Sequence, residues 1–146
     1  VTSVRAEILL PGPAASGVAL ALTKPISFWG GVDPATGDII DARHPERGAN
    51  VAGRTLALPG TIGSSSASAV LLELVRTGRA PAAIILHEPD AILLLGLIVA
   101  REMGWPTPIA LRLDRERQKT LHGLVAIASD GLVSWSDAAP GRPTPS

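Results

Sequence analysis

The spacing of apolar and polar positions changes several times along the chain, and each change marks an element. Val4–Leu10 reads as a first strand and Val18–Leu22 as a second. Pro25–Asp33 is an apolar segment interrupted by Gly30-Gly31, which predicts a strand end and a tight loop. Asp38–Ala42 follows the Thr36-Gly37 turn signal as a short strand, and His44–Asn50 reads as an exposed loop. Thr55–Leu58 is a strand that runs into Pro59-Gly60. Beyond a turn of glycine and serine, Ala67, Val70, Leu71 and Leu74 fall at i, i+3, i+4 and i+7, the spacing of a half-buried helix, and Gly78 suits its C-cap. Ala82–Leu86 is a short continuous apolar run, as expected of a strand covered on both faces. Asp90 can cap a helix over Ala91–Met103 that stops at Gly104. Pro108–Leu113 is a further strand, and the charged stretch Asp114–Thr120 predicts a short exposed helix. Leu124–Ser129 and Leu132–Ser136 flank Asp130-Gly131, a hairpin signal.

The middle of the chain thus alternates strand and helix, for which a parallel sheet is the natural solution. With a β-hairpin expected at each end, the pattern predicts a compact α/β domain: a barrel-like or mixed sheet with flanking helices. It would span residues 1–138, followed by a disordered tail, APGRPTPS, at 139–146.

Composition narrows the function classes. Apolar residues make up 46%, yet there are only three Trp, one Phe and no Tyr, so the core must be aliphatic. Thirteen basic and thirteen acidic residues cancel without forming a basic stripe, so no nucleic-acid partner is expected. The apolar run Ala91–Ala100 is about half of what a membrane-spanning helix needs. The N-terminus shows no charged-then-apolar leader pattern, which places the expected compartment in the cytoplasm. The absence of cysteine rules out disulfides and any thiolate-held zinc or iron–sulfur cluster within the chain. His44, His87 and His122 lack metal-ligand spacing, so no metal site is expected here.

Three motifs could carry chemistry. The first is LPGTIGSSSASAVLLELV, Leu58–Val75. Backbone N–H groups and several hydroxyls converge there at a helix N-terminus, a setting that stabilises a carboxylate or a phosphate. Gly63 lets the backbone approach a ligand, and Ser64, Ser65, Ser66 and Ser68 can each cap the helix or touch the ligand. A plain N-cap needs only one serine. The same stretch misses the last glycine of a hydrolase G-x-S-x-G elbow, although Asp90 and His122 follow in that order. The Walker and dinucleotide-binding patterns are both absent. The second motif is SFWGGVDPATGDIIDARHPERG, Ser27–Gly48. It reads either as a cover over a polar substrate or as a hairpin with Phe28 and Trp29 in the core and Asp33, Asp41, Arg43 and His44 as ordinary loop polar groups. The third is His87-Glu88-Pro89-Asp90, at the end of a buried strand where sites gather in parallel sheets. Asp90 reads as a helix cap, and His87 and Glu88 stay open.

In order, SFWGGVDP-x-TG, the H-P-x-x-G loop and LPG-x-x-GSSSAS before a helix closely resemble the small, swivel-domain subunit of the aconitase X family, with the likeness running over Pro25–Ala110. The resemblance implies a swivelling β/β/α domain that forms a heterodimer with a large subunit carrying the iron–sulfur cluster or iron on its own residues. Members of the family are dehydratases. The resemblance implies dehydration of cis-3-hydroxy-L-proline to Δ1-pyrroline-2-carboxylate, with mevalonate 5-phosphate dehydration as the rival of the same class. Ser64 occupies the position of the family's serine base. Gly63, Ser65 and Ser66 would hold the substrate's carboxylate, and Phe28, Trp29, Gly30, Gly31 and His44 would line the site or the interface. Aconitase itself carries an arginine two positions after the base serine; Ser66 stands there in this chain, so no arginine clamp carries over. A non-catalytic interaction domain and a stand-alone serine hydrolase are the rivals from other classes.

Overall fold

The computed structural model describes residues 1–63 and 65–136. Ser64 and residues 137–146, and with them the expected tail at 139–146, lie outside the described residues. The chain runs through β1 (Thr2–Arg5), β2 (Glu7–Leu10), β3 (Ala15–Ala21), a helical turn α1 (Phe28–Gly31), β4 (Thr55–Leu58), α2 (Ser66–Arg76), β5 (Ala83–Leu86), α3 (Ala91–Glu102), β6 (Ile109–Arg112), α4 (Arg115–Gln118), β7 (Leu124–Ile127) and β8 (Leu132–Trp135).

The eight strands follow the order β1-β8-β7-β3-β4-β5-β6-β2. The central strands β3, β4, β5 and β6 are parallel, with Leu56 opposite both Leu20 and Ile84. Strands β7 and β8 form the antiparallel hairpin expected around Asp130-Gly131. Two strands switch partners partway. The first half of β3 pairs with β7 and its second half with β4. The expected single strand Val4–Leu10 is split at Ala6: β1 pairs with β8, and β2 pairs with β6 at the other end of the order. The two ends of the sheet are therefore joined through one residue, which gives the barrel-like form. At that seam Ala6 N–H donates to the Gly131 carbonyl at 2.9 Å. A Cβ on Gly131 would fall 2.7 Å from the Ala6 carbonyl oxygen, and its φ of +92° favours glycine independently. No N-terminal hairpin forms, because β2 and β3 find better-covered partners in the central sheet.

Strand alternation sorts the core into two layers. Leu56, Leu58, Ile84, Leu86 and Ala110 face α2 and α3, where they meet Leu71, Leu74, Leu93 and Leu97. Ala57, Ala83, Ile85, Ile109 and Leu111 face the hairpin side, where they meet Val125, Ile127, Val133 and Trp135. The parallel strands are thus sealed on both faces, which is why they read as unbroken aliphatic runs. Each fully buried leucine contributes about 1.5–3 kcal/mol to this β/β/α stack. Helices α2 and α3 lie side by side on the outer layer and touch closely at Gly96, whose added Cβ would sit 2.4 Å from the Ser68 carbonyl oxygen.

Outside these layers, Asp38–Ala42 forms isolated bridges rather than a strand, Val32 with Ile39 and Asp38 with Asn50. The charged stretch Asp114–Thr120 does give a short helix, but it is not exposed throughout: Gln118 is buried.

Candidate functional site

All the loops that follow the parallel strands emerge at one edge of the sheet. Strand β4 ends at Leu58 and turns through Pro59–Gly63 towards α2. Strand β5 ends at Leu86 and passes through His87–Pro89 to α3, and β6 ends at Arg112 and enters α4. This edge is the usual position for a ligand in an open parallel sheet.

The turn after β4 is held from two sides. Ile26 forms a parallel bridge with Thr61, and the Ile62 N–H donates to the Ile26 carbonyl at 3.0 Å. On the other side the Thr61 hydroxyl donates to Asp90 Oδ2 at 2.5 Å. Asp90 Oδ1 meanwhile accepts from the Ile92 and Leu93 N–H groups at 2.9 and 3.1 Å, capping α3 as the sequence predicts. With its flanks pinned, the turn presents Gly63 and Ser65, both exposed. Ser65 stands at the N-cap of α2 in helical conformation and makes no side-chain cap hydrogen bond, and no acidic residue lies in the first turn. Ser68 turns its hydroxyl back to the Ser65 carbonyl at 2.8 Å. The start of α2 therefore has positive electrostatic character without a carboxylate of its own to neutralise it, a setting suited to an incoming anion.

The second motif divides. Its first residues do reach the site's edge, carried there by the Ile26–Thr61 bridge. Trp29 is 61% exposed, and Gly30 is exposed with φ +80° and open space where a Cβ would stand. Phe28, by contrast, is 1% exposed and belongs to the helix-side core, so it is a packing residue and not a lining one. Gly31 is buried and its carbonyl accepts from the Ile40 N–H at 2.8 Å. His44 also departs from its expected place. It is 6% exposed, with Nε2 at 3.0 Å from the Lys24 carbonyl and Nδ1 accepting from the Glu46 N–H at 3.1 Å. Both ring nitrogens are thereby used within the chain, which fixes the neutral Nε2–H form and leaves no ring atom for a substrate. The expected exposed loop is instead a clamp: the Glu46 carboxylate accepts from the Thr23 backbone N–H and hydroxyl, next to the Lys24 carbonyl held by His44.

Sequence reasoning missed two contributors from α4, Arg115 and Gln118. Arg115 donates to the Thr23 carbonyl at 2.8 Å, and its own N–H bonds His87 Nδ1 at 3.1 Å. The amide of buried Gln118 donates to the carbonyls of Leu58 and Leu113 at 2.9 and 3.0 Å, tying α4 to the end of β4, while its Oε1 has no partner among the described residues. Nothing in the string RERQKT separates that glutamine from its solvated neighbours. Thr23, Arg115, Gln118 and Lys119 line a cleft of about 230 Å³ beside this strand end. The carboxyl groups held below their ordinary range lie away from this edge: Glu73 by its side-chain hydrogen bond to Arg76, and Asp130 by the Leu132 N–H and then Arg5.

Among the described residues no three His, Cys, Asp or Glu side chains are grouped to hold a metal ion, and the sequence contains no cysteine. An iron–sulfur cluster does not fit the residues of this chain. No helix among the described residues is long and apolar enough to cross a membrane.

Comparison with known proteins agrees with this geometry. The family model "Aconitase X swivel domain" matches residues 3–134. The chain is 47% identical over 128 residues to the cis-3-hydroxy-L-proline dehydratase of Pseudomonas aeruginosa, covering 87% of this chain and 22% of that protein. It is 38% identical over 122 residues to the phosphomevalonate dehydratase small subunit of Thermococcus onnurineus, covering 84% of this chain and 90% of that one. Among solved structures, Thermococcus kodakaraensis aconitase X in its holo-form superposes with a TM-score of 0.77 at 32% identity, over 91% of this chain and 97% of that chain. The chain thus spans about a fifth of the length of the hydroxyproline dehydratase it matches.

Proposed function

The chain belongs to the aconitase X family as its swivel domain, and on that premise we propose that it is the small part of a hydro-lyase that dehydrates cis-3-hydroxy-L-proline. The observation that carries the substrate choice is the 47% identity, over 87% of the chain, to a cis-3-hydroxy-L-proline dehydratase. The turn at the end of β4 supports the reaction class, because the open N-terminus of α2 suits a substrate carboxylate.

In this reading Ser64, between Gly63 and Ser65 in sequence, is the base. Its oxygen takes the proton from the carbon bearing the carboxylate. The electron pair of that C–H bond forms the ring double bond as the C3–O bond breaks. The departing hydroxide takes up the proton held by Ser64 and leaves as water, which returns the serine to its deprotonated form. The resulting cyclic enamine tautomerises to Δ1-pyrroline-2-carboxylate. A serine hydroxyl is a weak acid, so its deprotonated form needs strong local stabilisation. The N-terminus of α2 supplies part of it. The N–H groups of Gly63, Ser65 and Ser66, with the Ser65 and Ser66 hydroxyls, hold the carboxylate, and Trp29 and Gly30 form the neighbouring edge with buried Gly31 behind them. Phe28 and His44 support this edge from below.

The iron–sulfur cluster or iron implied by the family is assigned to a large partner, since this chain's own residues do not fit it. The partner completes the enzyme as a heterodimer, and neither part dehydrates substrate alone. Cytoplasmic location forms part of the same proposal.

The test is to combine the chain with its large partner and assay both substrates. Hydroxyproline turnover that falls at least about 1,000-fold in Ser64→Ala supports the proposal. Near wild-type turnover in that variant removes Ser64 as the base. Turnover of mevalonate 5-phosphate in place of hydroxyproline would select the second reading, which the match over 90% of an archaeal phosphomevalonate dehydratase small subunit favours.

A further inference from the structure

Helix α3 is apolar all the way round until its last two residues, Arg101 and Glu102. Its first ten residues, Ala91–Ala100, carry no charge. Leu93, Leu94, Leu97 and Ala100 fill the core between the sheet and α2. The opposite face is just as aliphatic, yet it stands in solvent: Ile92 is 50% exposed, Leu95 49%, Val99 38% and Met103 55%. Their spacing of i, i+3, i+7 and i+11 sets them in one stripe along the helix. A helix apolar on every side belongs inside an assembly, and a continuous stripe of this kind marks an interaction surface.

We infer that this stripe is the docking surface for the large, cluster-bearing catalytic unit; the inference rests on the proposed function. Two observations select that occupant over a second copy of the chain. The stripe begins at the candidate site. Asp90 immediately precedes α3 and holds Thr61, and the exposed side chains Ile62 and Ile92 flank that bond. A body that closes over the serine turn therefore meets the head of the stripe as it does so. Second, the Pseudomonas aeruginosa relative holds the counterpart of this chain within 22% of its length, so the larger part of that polypeptide is tethered to the same fold. A face without charge from Ile92 to Val99, with Glu102 only at its far end, suits a lasting interface, not an encounter that must reopen to water at every turnover.

The experiment uses the full chain with the large subunit from the same source. Leu95→Asp combined with Val99→Asp is compared with Leu124→Asp, which alters a still more exposed apolar side chain on β7, away from α3. Leu95→Gln with Val99→Gln is the milder pair should the aspartates unfold the domain, and thermal melting of the free chain reports folding. The stripe variants are expected to bind the large subunit at least about 100-fold more weakly while melting as the wild type does, with Leu124→Asp unchanged. Unchanged binding in the stripe variants overturns the inference. So does loss of self-association in those variants with binding to the large subunit intact, which would assign the face to a second copy. Tight, stripe-dependent binding without dehydration of either substrate would uphold the docking surface and remove the proposed reaction instead.

Discussion

Thr61 donates its hydroxyl to Asp90 Oδ2 at 2.5 Å, so one carboxylate both caps α3 and fixes the turn that opens α2. The two loops at the edge of the sheet are coupled through it. Asp90→Ala removes the cap and the link together and is expected to destabilise the domain by about 2 kcal/mol. Asp90→Asn keeps an oxygen for the Ile92 and Leu93 N–H groups and is expected to lose less than half as much. Urea unfolding of both variants checks the order, and equal losses would show that the Thr61 link outweighs the cap.

The contact of α2 with α3 leaves no room at Gly96. Alanine is the better helix former by about 1 kcal/mol, but its Cβ would meet the backbone oxygen of Ser68 at 2.4 Å. Backbone cannot rotate away as a side chain can, so the helices must separate. Gly96→Ala is expected to cost about 1–3 kcal/mol net, read as a lower melting temperature. A stabilised variant would show that the two helices slide apart freely.

His44 serves the site from beneath. Its imidazole holds Lys24, two residues before the Ile26 that pairs with Thr61. His44→Ala leaves the Lys24 carbonyl and the Glu46 N–H without these partners and is expected to destabilise the domain by about 2 kcal/mol. Because no ring nitrogen is offered to substrate, KM in the assembled enzyme is expected to change less than kcat as the turn loosens. A large rise in KM at constant kcat would instead place the ring against the substrate.

Gln118 offers a pH-dependent test. Its amide nitrogen faces two carbonyls, so Gln118→Glu places a carboxylate oxygen against them inside the core. The buried carboxyl has its folded pKa raised above its unfolded value of about 4.3. Stability relative to wild type is therefore best retained below that value, where a protonated carboxyl still donates to one carbonyl. It is lost as the pH rises through the raised folded pKa. The deficit is expected to reach about 3 kcal/mol at pH 7, measured by urea unfolding of both proteins across pH.

Much of this molecule was legible in its sequence because several segments carry one periodicity each. Thr55–Leu58 and Ala82–Leu86 read as buried strands since both their faces are covered, and the Ala67–Leu74 spacing gave α2. Asp90 was recognisable as a cap from its place before an apolar run. The splitting of the first strand at Ala6 was not, since Arg5 and Glu7 look alike to any local pattern and only their distant partners, β8 and β6, tell them apart. Phe28 and His44 were misplaced for a related reason. A motif identifies which residues lie near a site but not which of them point into the core.

The sequence by itself determined the parallel sheet, its helices, the serine turn and the absence of thiolate ligands, because these follow from residue type and spacing along one segment. Tertiary structure alone decided which loops share an edge, that Thr61 meets Asp90 and that Glu46 and His44 grip Thr23 and Lys24. It also decided that the second face of α3 is left uncovered. Those relationships depend on pairings between segments far apart in the chain. No local propensity encodes them, and they form only when the strands close into their order.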